Sequence, residues 1–396
     1  MIIDSPAVGE LSDPNALLER WVPGESAWFS GPRGSLLAHG CHRRVGTADP
    51  VAVEALLREV EADGVAPPVV LGALPFDSDA APALVVPESV RRGTALSDAV
   101  VTPPSAPRSA VVGRMRPCPE PPGYEAMVSD ALGRMAAGEL DKVVLARILE
   151  LTARMPVDMP VMLRELAARD PHGYLFAVGL PTPGPGPRTL IGASPELLIS
   201  RRDGVVLAQP LAGSAPRHPD PIEDERLGAE LLASAKNRHE HALVADAVAD
   251  ALDPLCADLV VPDVPSLVRT ETLWHLSTRL EGRVDPRRPG TSALALARAL
   301  HPTPAVCGVP RDAARAAIEE IEPFDRGFYA GTVGWTDATG DGEWVVALRC
   351  GQVEGSSVRL YAGAGIVPGS CPAAELEETA VKLQTQLRAL RLDASA

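Results

Sequence analysis

Three observations predict an α+β protein. Short β-type runs alternate irregularly with helices and do not repeat as regular βαβ units. Two of those runs, Thr332–Trp335 and Trp344–Cys350, flank Asp341-Gly342, a tight-turn pair that joins antiparallel strands. Four segments carry strong helical periodicity: Asp224–Leu252, Leu294–Leu300, Arg311–Ile321 and Glu375–Leu390.

The elements follow in order. Ala27–Phe29, Leu36–Ala38 and Val69–Leu74 read as strands, with a helix over Val51–Glu61. Thr102–Gly123 is dense in proline and reads as an exposed connector, since proline punctuates regular structure. Tyr124–Ala137 has helical spacing and leads into Val143–Ile148, an apolar strand. Further strands are expected at Tyr174–Val178, Leu190–Gly192, Val205–Leu207, Thr332–Trp335, Trp344–Arg349 and Val358–Ala362. No internal repeat or low-complexity tract interrupts them.

Composition narrows the function. Hydrophobic residues make up 46% of the 396 positions and charged residues 22%, as in soluble globular proteins. No apolar run approaches the ~18 residues of a membrane span. Met1-Ile2-Ile3-Asp4-Ser5 lacks the basic start and apolar core of a signal peptide, so a cytoplasmic protein is expected. A net charge of -15 argues against nucleic acid or an anionic membrane as the main partner. An anionic substrate would then need its own cationic pocket or a metal. The six cysteines are scattered, without zinc spacing, and read as reduced thiols. Positive charge is written almost wholly as arginine. Only Lys142, Lys236 and Lys382 are lysines, and lysine alone of the two can lose its proton when buried.

Several constellations could carry chemistry. Gly363-Ala364-Gly365 follows a strand, but Pro368 stands where a dinucleotide fingerprint needs its third glycine. The plainer reading is a strand end that something approaches closely. His239 and His241 are spaced wrongly for a zinc pair on one helix face. Glu240 begins an apolar stripe continued by Leu243, Val244, Ala247 and Val248, so its carboxylate must find a cation. A helix salt bridge to Lys236 at i−4 and a metal both satisfy that need. In the last helix Glu375, Glu378 and Lys382 share a stripe beside the core stripe of Leu376, Ala380, Leu383 and Leu387. A solvated Glu378–Lys382 pair explains it, as do oxygen ligands for Mg²⁺. Lys142 opens a buried strand and either snorkels to the surface or is held desolvated. Glu196 follows a tight turn before Leu197-Leu198; a lysine and a carboxyl group in one site would make a base and an acid.

Taken together, these segments resemble the chorismate-utilising enzymes, a family that serves menaquinone, siderophore and tryptophan biosynthesis. Lys142-Val143-Val144-Leu145-Ala146-Arg147, Gly192-Ala193-Ser194-Pro195-Glu196-Leu197-Leu198 and Pro210-Leu211-Ala212-Gly213-Ser214 stand in the family's order. Lys236-Asn237-Arg238-His239-Glu240-His241, His301-Pro302-Thr303-Pro304-Ala305-Val306 and Tyr361-Ala362-Gly363-Ala364-Gly365-Ile366-Val367 follow. Glu375, Glu378, Thr379 and Lys382 complete the set, and all three lysines fall inside it. The likeness is dense over 124–396, the chorismate-binding catalytic part, and thinner over 1–123, a more divergent part of the same fold.

The resemblance implies large antiparallel sheets enclosing a cleft, with helices packed outside. It implies an isochorismate synthase, an isomerase that reversibly adds water at C2 of chorismate while the C4 hydroxyl leaves. Lys142, where ammonia-using members carry Gln, would be the base for that water, and Glu196 the general acid for the leaving group. Glu240 and Glu378, with Glu375 nearby, would hold Mg²⁺. Arg349, the Gly363 backbone and Lys382 would bind the pyruvyl carboxylate, and Gly213, Ser214 and Ala305 would line the pocket. The stretch Gly334-Trp335-Thr336-Asp337 with Gly340-Asp341-Gly342-Glu343-Trp344 resembles isochorismate synthases specifically. Tyr329 and Leu348 are instead what salicylate synthases tend to carry, so a salicylate synthase that goes on to eliminate pyruvate is the rival. Asn237 replaces an acidic residue common in the subgroup. A monomer without a glutamine amidotransferase subunit is expected.

Overall fold

The computed structural model describes residues 11–391 except 65–67, 100, 102–111, 183, 185 and 285–289. Met1–Ser5, read above for a leader, therefore lies outside the described residues. Two large sheets dominate, one of ten strands and one of eight, and all their strand pairings are antiparallel. The ten-stranded sheet is centred on Lys142–Ala153, Ser357–Ile366, Cys350–Glu354, Arg188–Ser194 and Tyr174–Leu180, in that spatial order. In the eight-stranded sheet Leu197–Arg202 is followed by Gly342–Val346, Thr332–Asp337 and Val69–Leu74. Strands from before and after residue 123 share both sheets.

The ten-stranded sheet is apolar on both faces because both are covered. Val143, Leu145 and Ile148 enter the main core with Phe176 of the same sheet and Leu197, Trp344 and Val345 of the eight-stranded one. Leu149 and Leu151 point into a second core closed by Met162 and Leu166 of helix Met159–Arg169 and Leu383 and Leu387 of helix Pro372–Ala389. A small sheet of Leu211–Pro216, Leu273–Ser277 and Ser266–Arg269 carries helices Pro221–Ala233 and Ala235–Leu252 on it. No helix among the described residues is long and apolar enough to cross a membrane.

Most expected elements are present, with longer ends. Three expectations are corrected. The helix Asp224–Leu252 is two helices, because Ser234 adopts an extended conformation and its hydroxyl caps the second by accepting from Asn237 N at 3.3 Å. Thr102–Gly123 is not wholly connector. Val112–Cys118 pairs with Lys142–Ala153 as an extra strand, and Pro121 starts helix Pro121–Ala136 at a position that tolerates proline; the rest, Thr102–Val111, lies outside the described residues. The strand Trp344–Arg349 ends at Val346, and the chain then steps from the eight-stranded sheet into the ten-stranded one at Cys350. The small sheet and helix Met159–Arg169 have no counterpart among the elements expected from sequence.

Candidate active site

The step between sheets builds the site. Arg349, at the crossing, has φ +45°, a conformation costly for a residue with a side chain. Its carbonyl is held from both sides: Ala193 N donates to it at 3.2 Å, and the buried Gln386 amide of the last helix donates to it as well. Ala330 is also left-handed, at φ +57°, and its N–H donates to Ala347 O at 3.0 Å. These two turns direct Tyr329, Leu348 and Arg349 into a cleft between the ten-stranded sheet, the small sheet and helices Ala235–Leu252 and Pro372–Ala389.

The cleft, with the solvent at its open mouth, spans ≈ 780 Å³ of atom-free space. Eleven of the thirteen residues expected at the site line it: Glu196, Gly213, Ser214, Glu240, Ala305, Tyr329, Leu348, Arg349, Gly363, Glu378 and Lys382. Lys142 and Glu375 stand immediately behind that wall. Lys142 is wholly buried and its Nζ lies 2.9 Å from Glu240 Oε1. Of the two roles open to it, the structure gives the desolvated lysine and not the snorkelling one. Its nearest charge is a carboxylate.

The carboxylates also find partners that sequence spacing did not indicate. Glu240 does not pair with Lys236 at i−4; Lys236 Nζ instead reaches Glu375 Oε1 on the last helix at 3.2 Å. The expected Glu378–Lys382 pair does form, at 2.6 Å, but it faces the cleft and not solvent. Burial alone would push the Glu378 carboxyl up. Lys382, the Ser214 hydroxyl and Arg349 together hold it below the usual carboxylate range. Burial and the neighbouring Glu378 push Glu375 up. Lys382 Nζ also donates to Gly363 O at 2.8 Å.

Glu196 is different in kind. Its turn is held by Ser194, whose hydroxyl donates to Val346 O at 2.6 Å and accepts from Glu196 N at 3.2 Å. The carboxyl is fully enclosed, and that desolvation pushes it up to about 8, against the opposing Leu211 N–H, Lys142 and Lys382. At neutral pH it is a proton donor.

Two glycines have steric reasons. A Cβ on Gly365 would sit 2.3 Å from Glu240 Oε1 and 3.3 Å from Lys142 Cε. The close approach anticipated for this strand end is thus the Lys142–Glu240 pair. Gly213 has φ +77° at a bulge between Ala212 and Ser214, which turns Ser214 toward Glu378.

Among the cleft residues to which sequence reasoning gave no role, two carry polar side chains. His275 lines the cleft with Nε2 buried and without a hydrogen-bond partner among the described residues. Burial, with Arg349 and Lys382 nearby, pushes its imidazole well below the ordinary value, so the ring is neutral. Tyr361 stacks on Tyr329 with ring centres 4.9 Å apart. His275 stands among apolar neighbours in Leu273-Trp274-His275-Leu276, whereas Tyr361 opens a motif already quoted, where it was given no role.

No three His, Cys, Asp or Glu side chains among the described residues converge as a ready-made metal cage. The donor set still fits Mg²⁺, which takes one or two protein carboxylates and leaves its other positions to water or substrate oxygens. Glu240 and Glu378 line the same cleft, and Glu375 adds a second carboxylate beside Glu378.

Comparison with known proteins places this architecture. A family model described as "Chorismate binding enzyme" matches residues 74–391. Isochorismate synthase DhbC of Bacillus subtilis (strain 168) is 48% identical, over 95% of this chain and 96% of that one. Isochorismate synthase EntC of Escherichia coli (strain K12) is 41% identical, over 92% and 94%. A Bacillus anthracis crystal structure assigned to a 2,3-dihydroxybenzoate-specific isochorismate synthase, DhbC, superposes with a TM-score of 0.91. It is 45% identical, over 96% of this chain and 100% of that one. With the family model matching residues 74–391 and these relatives 41–48% identical over more than nine-tenths of its length, the chain belongs to the chorismate binding enzymes.

Proposed function

We infer that the chain is an isochorismate synthase: it converts chorismate to isochorismate and back, adding water at C2 as the C4 hydroxyl departs. The observation that carries the chemistry is Glu196, an enclosed carboxyl pushed up to about 8 in a cleft that also presents Glu240, Arg349, Glu378 and Lys382. It enters the reaction already protonated and gives that proton to the leaving C4 oxygen. Lys142 acts as the neutral amine: its ammonium first gives one Nζ proton to solvent, and the freed lone pair then takes the proton from the attacking water. The hydroxyl leaving C4 and the one arriving at C2 then balance, and the two side chains exchange roles in the reverse direction.

The substrate is a dianion in a protein of net charge -15, so its carboxylates need local cations. Arg349, the Gly363 backbone and Lys382 serve the pyruvyl carboxylate. Glu240 and Glu378, with Glu375 beside them, would hold Mg²⁺, which would supply positive charge for the ring carboxylate. Gly213, Ser214, Ala305, Tyr329 and Leu348 shape the remaining wall. The enzyme works in the cytoplasm as a monomer, without an amidotransferase subunit.

Chromatography of the products formed from chorismate and Mg²⁺ tests this reading. Isochorismate in equilibrium with chorismate is the expected result, with at most a trace of salicylate from the Tyr329 and Leu348 pair. Salicylate and pyruvate as dominant products at neutral pH would make the chain a lyase instead.

A further inference from the structure

The chain spends its lysines in one place. There are three among 396 residues, and each is ion-paired with one of the three glutamates around the cation. Lys142 meets Glu240 at 2.9 Å, Lys236 meets Glu375 at 3.2 Å and Lys382 meets Glu378 at 2.6 Å. Two of the lysines have work in the reaction. Lys236 has none so far, and it is not in the cleft wall.

We propose that Lys236 is a positioning residue that sets the cation affinity of the site, holding Glu375 in the cation-free protein and competing with Mg²⁺ for it. This rests on the reading that Glu240, Glu375 and Glu378 are the cation's carboxylates. Lys236 is the second residue of helix Ala235–Leu252, one turn ahead of Glu240, yet it bonds across to helix Pro372–Ala389. It therefore links the two helices that bring the carboxylates together. The Glu375 side chain is only 5% exposed, and next to Glu378 it would be costly to leave without a counter-charge.

The choice of lysine is what makes the link releasable. An arginine fork grips a carboxylate at two points, whereas an ammonium is a single, strongly hydrated point charge on a flexible stem. The Lys236 side chain is 42% exposed, against 1% for Lys142 and 18% for Lys382. On cation entry it alone of the three can return to water, and Glu375 is freed to face Glu378 and the metal.

The test uses Mg²⁺ and no chorismate, so that turnover is not the readout. Calorimetric titration of the cation-free full chain should show Lys236→Gln binding Mg²⁺ roughly 2- to 5-fold more tightly than wild type, the scale of a partly exposed ion pair. Lys236→Arg should bind no more tightly than wild type. On the wild-type protein, acetic anhydride labelling read by peptide mass should rise at Lys236 when Mg²⁺ is added. Unchanged or weaker Mg²⁺ binding by folded Lys236→Gln, or no change in Lys236 labelling, overturns the proposal. If wild type binds no Mg²⁺ and matches Glu378→Gln, the metal reading itself falls and takes the proposal with it.

Discussion

Lys142 and Glu240 meet at 2.9 Å across the junction of a central strand and a covering helix, and they do so because residue 365 is glycine. Strand Ser357–Ile366 runs beside strand Lys142–Ala153, with Gly365 opposite Val144, so any side chain at 365 would enter the space the pair occupies.

Gly365→Ala should therefore damage activity far more than stability. The added Cβ would press on the end of the Glu240 side chain, which can turn aside without unfolding the sheet. A displacement on the order of 1 Å at the reacting groups costs about 10²-fold in rate. We expect that loss in kcat/KM, with a Tm within a few degrees of wild type by calorimetry. Wild-type kinetics would show that the pair needs no such clearance.

Lys142→Arg distinguishes a base from a structural cation. Arginine preserves the charge opposite Glu240 but cannot give up a proton near neutral pH. Loss of a general base typically costs 10²- to 10⁴-fold, and Lys142→Arg should approach Lys142→Ala in steady-state assays. Retention of most of the rate in a folded Lys142→Arg protein would remove Lys142 from the role of base.

Glu196 sets the alkaline limb of the pH profile. With its carboxyl pushed up to about 8, the acid form dominates at neutral pH, and kcat/KM should fall as pH rises through that value. Stability moves in the same sense. The folded chain keeps this proton where the unfolded chain has released it, so Glu196 favours folding at low pH and loses that contribution between about 4.5 and about 8. Glu196→Gln should lose most activity and flatten this part of the stability curve in urea titrations at pH 5 to 9. A rate that stays level above pH 9 would contradict the assignment.

Removal of divalent cation should abolish turnover while leaving circular dichroism unchanged, and added Mg²⁺ should restore it. Glu240→Ala and Glu378→Gln should each stay folded and require far more Mg²⁺ for any residual rate. Full activity in chelator would sink the metal assignment.

Much of this was legible in the residues themselves. Strand and helix patterning is local, and it located most of the helices and about half of the strands within a few positions. Short motifs around Lys142, Glu196, Glu240 and Glu378 identified the family, because each is a contiguous run whose chemistry survives without knowledge of the fold. The same local reading failed where a single residue overrode a pattern. Ser234 cut one periodic helix into two, and Arg349 turned a continuous apolar run into a crossing between sheets.

The pairings were decided by tertiary structure alone. Helix spacing offered Lys236 to Glu240, but the folded chain gives Lys236 to Glu375 and Lys142 to Glu240, across separations of about a hundred residues or more. Those choices depend on sheet register, on a missing Cβ at Gly365, and on how two helices cap the cleft. The sequence determined which groups the protein owns: three lysines, three glutamates, and a carboxyl after a tight turn. Packing determined which of them face each other, which are stripped of water, and hence which are charged. Desolvation and charge pairing depend on every neighbour within a few ångströms, and most of those neighbours are distant in the chain.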